Sequence, residues 1–315
     1  MFKAKTFFNN FLLGTIFYSA LAAAQVPFER ILNSTDEPEN WLTYNGGYSS
    51  QRYSELDQIK AENVDELELK WVLQNQVFGA WQSNPIVVDG IMYITERPNS
   101  VMALDAITGR VFWKYKHTPD ERSRVCCGAN NRGVAVLDDR VFMGTLDARL
   151  VALDRISGEV LWEAEVGDVS RAYSVTMAPL VVKDKVIVGV GGGEYGIRGY
   201  VAAYDAATGE EVWKTYTIPG PGESGHDSWE GDDWQYGGAS VWITGSFDPE
   251  TNLTFWGVGN PGPDWNASQR PGDNLYSDSV IALDADTGKL DWYFQFTPND
   301  AYDYDSVQVP VLADI

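Results

Sequence analysis

The chain has 315 residues, enough for one large domain or two ordinary ones, and it is acidic, with a formal net charge of −22 at pH 7. This charge argues against nucleic acid as a partner, because no basic patch is present to displace counterions from phosphates. The composition of 12 Trp and 30 Gly, with few long apolar runs, indicates many short strands and turns.

The first 24 residues have the features of a signal peptide. Lys3 and Lys5 form a basic start, residues 11–20 are mostly apolar, and the small residues Ala22, Ala23 and Ala24 offer a cleavage site. A transmembrane anchor is the alternative, but the apolar run is short for one. We therefore predict export, to the periplasm in a bacterium, and no membrane span after the signal is removed.

Four copies of one motif follow along the chain. The motif reads A-x-D-x-x-[T/S]-G-x-x-x-W, and its copies occupy residues 103–113, 152–162, 203–213 and 282–292. Each copy predicts a strand, a tight turn capped by the Asp carboxylate, and a second strand. Trp71 is a candidate end of a degenerate earlier copy.

The spacing of the motif predicts an all-β chain, a β-propeller. The first three tryptophans of the motif lie about 50 residues apart, which is the period of a four-stranded blade. Hairpin-like runs at 85–94 and 179–188 fill the intervals. The longer interval before Trp292 predicts an insertion, which we place at residues 219–234. Four to five blades are visible, which indicates part of a longer ring, with a small closed propeller as the alternative.

The two cysteines of the chain, Cys126 and Cys127, are adjacent. Neighbouring Cα atoms lie about 3.8 Å apart across a trans peptide, less than the roughly 4.4–6.8 Å of most disulfides. Two free thiols are one interpretation. In an oxidising compartment with no other partner, we expect instead a strained bridge between the neighbours, which would offer a rigid surface to a planar molecule.

Asp303 and Asp305 are two residues apart. In an extended segment both carboxylates would point to the same side and repel each other. Such a pair requires a hard cation, a shared proton or exposure to water, and a solvated acidic turn is the simplest of these. Glu194 follows three glycines, so a ligand could approach the backbone closely there, although a surface turn explains it equally.

Several of these segments together resemble a known family. They are residues 126–133 with the paired cysteines, Thr176-Met-Ala-Pro, the run 191–199, Gly257-Val-Gly-Asn-Pro261, the Asp303 segment and the tryptophan repeats. They resemble the quinoprotein alcohol dehydrogenases of the methanol dehydrogenase type, which use pyrroloquinoline quinone. The resemblance covers essentially residues 40–315. It implies that residues 25–315 form the N-terminal part of a propeller of about eight blades.

The resemblance implies a set of contacts to the quinone. Cys126 and Cys127 would lie over one face of the ring and Trp242 under the other. Gln82 stands where many members have a Glu, so it would give a weaker contact. The carboxylates and carbonyls of the quinone would be held by Arg132, Thr176, Gly192, Gly193 and Ser240.

The resemblance also implies a metal site. Glu194, Asn260 and Asp303 would be ligands, and Asp303 would also be the catalytic base. Asp305 matches the additional acid of lanthanide-dependent members. Three carboxylates and an amide form an all-oxygen site of charge −3, which favours a trivalent ion over the alternative, Ca²⁺. With two His in the chain, zinc and copper are disfavoured.

The implied function is oxidation of small primary alcohols to aldehydes in the periplasm. The metal would activate the quinone, Asp303 would take the hydroxyl proton, and hydride would pass to the cofactor. Electrons would leave singly to a soluble cytochrome c, and these residues hold no C-x-x-C-H motif that would attach a haem. The later blades lie beyond residue 315, so activity of this segment alone stays open, as does a homodimer. The alternative is a non-catalytic propeller of the outer-membrane assembly type, which would need neither the cysteine pair nor these acids.

Overall fold

Four antiparallel sheets of four strands each make up the fold in the part of the chain that the computed structural model describes, residues 25–314. The predicted signal peptide, residues 1–24, lies outside the described residues. The strands are β1 Ile86–Val88, β2 Ile91–Glu96, β3 Ser100–Asp105, β4 Val111–Lys116, β5 Ala135–Leu137, β6 Arg140–Gly144, β7 Arg149–Asp154, β8 Val160–Glu165, β9 Leu180–Val182, β10 Lys185–Gly189, β11 Tyr200–Asp205, β12 Glu211–Tyr216, β13 Ser246–Asp248, β14 Leu253–Gly257, β15 Ser279–Asp284 and β16 Leu290–Gln295.

Helices are short in these residues. One α-helix, α1, spans Phe28–Leu32. The 3-10 turns are Ser34–Asp36, Val64–Glu66, Val169–Arg171, Gly193–Tyr195, His226–Ser228, Asp233–Gln235 and Ala267–Gln269. No helix within residues 25–314 has the length and apolar character needed to cross a membrane.

Each sheet is a simple meander, with its strands hydrogen-bonded in chain order. Four consecutive meanders of this kind are propeller blades, so the predicted all-β propeller class is confirmed. The two predicted hairpins are also confirmed, as β1–β2 and β9–β10.

The motif turns join the third and fourth strand of each blade. In the first blade, Oδ1 of Asp105 accepts hydrogen bonds from the backbone N–H groups of Ile107 and Thr108. The same pair of bonds recurs in the other three blades. Backbone hydrogen bonds hold the pKa of Asp105 below its ordinary value, so the carboxylate is charged and caps the turn.

The motif tryptophans join one blade to the next. Each indole ring lies where a Cβ on the next motif glycine would stand, so only glycine fits there, and each indole N–H donates to a backbone carbonyl of the same turn. The pairs of ring and glycine are Trp71 with Gly109, Trp113 with Gly158, Trp162 with Gly209 and Trp213 with Gly288. Trp71 therefore makes the contact expected of a blade's last strand, although its segment lies outside the four sheets.

Replacing a docked tryptophan should destabilise the propeller. Trp213 is only 7% exposed and donates to the carbonyl of Ala285 at 3.2 Å. Trp213→Ala removes this ring from between two blades, and we expect a loss of about 3–5 kcal/mol in the free energy of unfolding in urea. Ile107→Ala, at a motif turn position that is 80% exposed, is the control and should change stability by less than about 0.5 kcal/mol. Equal effects of the two substitutions would contradict the docking role.

The insertion lies differently from the prediction. The predicted residues 219–234 fall within a long connection between β12 and β13, residues 217–245, and not within a blade. A second long connection, residues 258–278, separates β14 from β15. The single predicted insertion is therefore wrong in extent, because the additional residues are divided between two loops.

The N-terminal segment crosses several blades. Val26 pairs with Asp138 in the second blade, and Trp41 pairs with Val87 in the first. The Tyr48 ring packs against Phe247 of the fourth blade at 5.2 Å between centroids, and its hydroxyl donates to the carbonyl of Val181. These contacts stabilise the arrangement of the blades.

Candidate active site

The predicted site residues all lie on connections at one end of the blades. In a meander, the link between the second and third strands emerges at the same end as the link to the next blade. Cys126 and Thr176 lie on links between blades, at 117–134 and 166–179. Glu194 and Asn260 lie on links within blades, at 190–199 and 258–278, and the Asp303 segment follows β16. The topology therefore gathers distant residues above the blades.

A cavity of about 100 Å³ lies among these loops. The predicted residues that line it are Cys126, Cys127, Arg132, Thr176, Gly192, Glu194, Ser240, Trp242 and Asp305. Gln82, Gly193, Asn260 and Asp303 are not among its lining residues, and Gln82 is exposed to solvent. Most of the predicted quinone contacts thus lie around this one cavity, as do two of the four predicted metal ligands.

Arg132 is placed by Thr176 and Trp242. Its guanidinium donates to Oγ1 of Thr176 at 2.8 Å and lies over the Trp242 ring, 4.8 Å from the centroid. Burial lowers the pKa of Arg132. Among residues 25–314, no carboxylate forms an ion pair with its guanidinium. Within residues 25–314 this cation is therefore available to an anionic group in the cavity.

Glu194 is presented by the 3-10 turn Gly193–Tyr195. The turn starts after Gly192, whose φ of +117 favours glycine and whose added Cβ would lie 2.3 Å from the carbonyl oxygen of Ala172. A Cβ on Gly193 would lie 3.2 Å from the Ser240 hydroxyl oxygen. These close approaches explain the glycine run and fix where the exposed Glu194 carboxylate projects.

The predicted disulfide is not formed in the structure, where Cys126 and Cys127 are free thiols. Cys126 donates instead to Oε1 of Glu194 at 2.9 Å. Burial raises the pKa of the Cys126 thiol, and hydrogen bonds with Cys127 and Glu194 raise it further. A neighbouring carboxylate favours the protonated thiol of Cys126 over its thiolate.

The Asp303 segment is not extended, so the same-side arrangement of an extended segment does not apply to it. Asp303 and Asp305 both have left-handed backbones, with φ of 64 and 53. The buried Asp300 is the cause, because its carboxylate accepts hydrogen bonds from the backbone N–H groups of Tyr302 and Tyr304, each at 2.9 Å. The segment is therefore a tight loop held from inside by a third acid.

The acids of the site influence one another electrostatically. The pKa of Asp305 is raised to about 6, mainly by burial and in smaller part by the charges of Asp303 and Glu194, while a hydrogen bond from the Asn260 backbone opposes the rise. Burial also raises the pKa of Asp303, together with the charges of Glu194 and Asp300. The cluster thus concentrates negative charge that a cation would relieve.

These acids do not form a closed cage. Among residues 25–314, the group of three or more His, Cys, Asp or Glu with ligand atoms all within 4.8 Å of one another is Cys126, Cys127 and Glu194. Asn260 is linked to Asp305, whose Oδ1 lies 3.4 Å from its backbone nitrogen. Asp303 is exposed on its loop and does not belong to that group.

Sequence reasoning missed four residues behind the site. Asp300 holds the loop as described, and the fully buried Asp278 accepts from the backbone N–H of Ser306. Arg270, only 1% exposed, donates to the carbonyls of Pro263 and Asp300 and thereby joins the two acidic loops. Asp264 accepts a hydrogen bond from the Asn260 side chain. The one available signal was the Asp-x-Tyr spacing at 300–302, which is typical of a side chain capping a turn.

A family model described as the β-propeller domain of glucose, ethanol and alcohol dehydrogenases that use pyrroloquinoline quinone (PQQ) matches residues 41–315. The chain belongs to this family. The predicted family resemblance is confirmed.

Similar sequences include several alcohol dehydrogenases. The chain is 43% identical to the quinohemoprotein alcohol dehydrogenase ADH-IIG of Pseudomonas putida, over 96% of this chain and 45% of that protein. It is 41% identical to the quinoprotein alcohol dehydrogenase PedH of Pseudomonas putida, over 95% and 53% of the two chains. It is 39% identical to a lanthanide-dependent methanol dehydrogenase of Methylacidiphilum fumariolicum, over 91% and 51%.

Solved structures agree with this PQQ-type propeller. The ADH-IIG structure from Pseudomonas putida superimposes with a TM-score of 0.87 at 42% identity, covering 91% of this chain and 44% of that chain. A europium-containing methanol dehydrogenase gives a TM-score of 0.86 at 38% identity, covering 91% and 54%. The chain therefore spans about half the length of the relatives it matches.

Proposed function

We propose that this protein oxidises primary alcohols to aldehydes with pyrroloquinoline quinone and a trivalent lanthanide ion. The observation that carries the proposal is the shared cavity. The cysteine pair, Arg132, Trp242 and the acids Glu194 and Asp305 all line one space at the end of the blades. A non-catalytic scaffold has no use for this combination of residues.

The cavity fits a flat, anionic cofactor. Trp242 offers an aromatic face, and the buried Arg132 offers a guanidinium suited to a carboxylate. Because Arg132 now lies over the Trp242 ring, stacking of a quinone there requires the guanidinium to move to the edge of the cofactor. The Ser240 and Thr176 hydroxyls would complete the polar edge, and Cys126 and Cys127 would lie over the opposite face of the quinone.

The donors also fit a hard cation. They are oxygens of Glu194, Asn260, Asp303 and Asp305, and hard cations bind oxygen ligands. The raised pKa values of Asp303 and Asp305 show that these carboxylates carry an electrostatic cost as anions. A trivalent ion offsets more of this repulsion than Ca²⁺ does. We therefore favour a lanthanide, with Ca²⁺ as the alternative.

The chemistry divides between the cofactor and the chain. The bound quinone, polarised by the cation, supplies the two-electron oxidant. Asp303, on its exposed loop, takes the proton of the alcohol hydroxyl as general base. Glu194, Asn260 and Asp305 hold the ion beside the cofactor, and the remaining lining residues orient the quinone.

The cellular setting completes the proposal. The mature protein would act in the periplasm and pass electrons singly to a soluble cytochrome c. Names of relatives that include quinohemoprotein alcohol dehydrogenases support cytochrome-type electron transfer. The acidic charge of −22 suits a basic electron acceptor.

Reconstitution tests the proposal. The protein in its full natural length, freed of metal and quinone, is loaded with pyrroloquinoline quinone and either La³⁺ or Ca²⁺, and alcohol-dependent dye reduction is followed. We expect activity with La³⁺ and little with Ca²⁺. Equal rates with the two ions would contradict the lanthanide assignment, and a protein that is inactive with both ions would contradict the enzyme function.

A further inference from the structure

Asp264 lies beside the proposed metal site and belongs to no predicted role. It is partly buried on the 258–278 connection, four residues after Asn260. Burial raises the pKa of its carboxyl, and the charges of Asp303 and Glu194 raise it further. The group therefore shares the electrostatic environment of two proposed ligands.

One contact defines what Asp264 does. Its Oδ1 accepts a hydrogen bond from Nδ2 of Asn260 at 2.9 Å. A carboxylate can only accept, so the Asn260 amide must turn its nitrogen toward Asp264. The amide oxygen then points away from Asp264, and the oxygen is the only atom of this side chain that can bind a hard cation.

We propose that Asp264 is a positioning residue that fixes the amide orientation of Asn260 and so presents its side-chain oxygen to the metal ion. The inference rests on the proposed function. The neighbouring backbone supports it, because the Asn260 N–H is also held, by Oδ1 of Asp305. Asn260 is thus fixed by one acid at its backbone and by another at its side chain, and outer partners of this kind tune metal affinity.

Two substitutions separate orientation from charge. Asp264→Ala removes the acceptor and leaves the amide free to rotate. Asp264→Asn removes the charge but keeps an oxygen that can accept from Nδ2 of Asn260. Asp227→Ala, at an exposed acid on the neighbouring 217–245 connection, is the matched control.

The measurement is the dissociation constant of Tb³⁺, followed by tryptophan-sensitised luminescence in the metal-free protein of full natural length. We expect Asp264→Ala to weaken Tb³⁺ binding about 10–100-fold, as outer-sphere substitutions do. We expect Asp264→Asn to restore most of the affinity and Asp227→Ala to have no effect.

The outcomes distinguish this inference from the proposed function. Glu194→Gln changes a proposed ligand and should weaken Tb³⁺ binding. If it does so while Asp264→Ala leaves the affinity unchanged, the role of Asp264 alone is overturned. An equal loss in Asp264→Asn and Asp264→Ala would show that charge, and not orientation, is what matters, and would also overturn it. Absence of Tb³⁺ binding by the unsubstituted protein would overturn the metal site and the inference with it.

Discussion

Asp303→Asn is expected to lower kcat/KM for a primary alcohol by about 10²–10⁴-fold, the range that a general base contributes. An amide cannot take the hydroxyl proton, although its oxygen can still face the ion. We propose Asp303 for this step, because its loop is exposed and its pKa is raised by burial and by the charge of Glu194. Steady-state dye reduction with the La³⁺-loaded protein measures the loss.

A measurement of quinone binding distinguishes a loss of catalysis from a loss of the cofactor. We expect Asp303→Asn to retain pyrroloquinoline quinone, as seen in the absorbance of the bound cofactor. Asp291→Asn, at an exposed acid on β16, is the control and should leave kcat/KM unchanged. An Asp303→Asn protein with ordinary activity would exclude Asp303 as the base.

Asp305→Ala should remove the La³⁺-dependent activity altogether. Asp305 lines the cavity, and burial raises its pKa to about 6, so its charge is costly without a cation. Removing this carboxylate takes one negative charge from a site that would otherwise carry three. The measurement is dye reduction after loading with each ion in turn.

The comparison of La³⁺ with Ca²⁺ distinguishes loss of the lanthanide site from a general loss of activity. We expect Asp305→Ala to lose its preference for La³⁺ over Ca²⁺, because a site with two carboxylates suits a divalent ion better. Asp248→Ala, on β13 in the fourth blade, is the control for a general effect of charge. Full La³⁺ activity in Asp305→Ala would contradict the lanthanide assignment.

The blades could be predicted because their signals are local. The Asp, Gly and Trp of each motif lie within eleven residues, and Asp105 caps its turn through bonds to residues two and three positions later. The docking of Trp213 on Gly288 follows the same repeat from blade to blade. Most of the fold could therefore be predicted from the period of the motif.

The loops could not be predicted in the same way, because their conformations depend on distant partners. The left-handed backbone at Asp303 follows from Asp300, and the Asp300 carbonyl is contacted by Arg270 from another connection. Neither partner can be identified from the Asp303 segment itself. The hydrogen bond of the Cys126 thiol is likewise made to a distant partner, Glu194, which lies 68 positions away in the chain.

Predicted site residues were nevertheless brought together where the resemblance indicated. Nine of them line one cavity, although they come from five separate segments. The residues that sequence reasoning missed, such as Asp264 and Arg270, act through other side chains and carry no motif of their own. Their roles became visible only from hydrogen bonds between loops.

The position of a lanthanide ion in crystals of the quinone-loaded protein tests the central claim most directly. Anomalous scattering from Tb³⁺ or Eu³⁺ locates the ion without ambiguity. We predict one dominant peak in direct contact with side-chain oxygens of Glu194, Asn260, Asp303 and Asp305, beside a planar cofactor stacked on Trp242. A peak bound elsewhere, or one held by Glu194 without the two aspartates, would contradict the account.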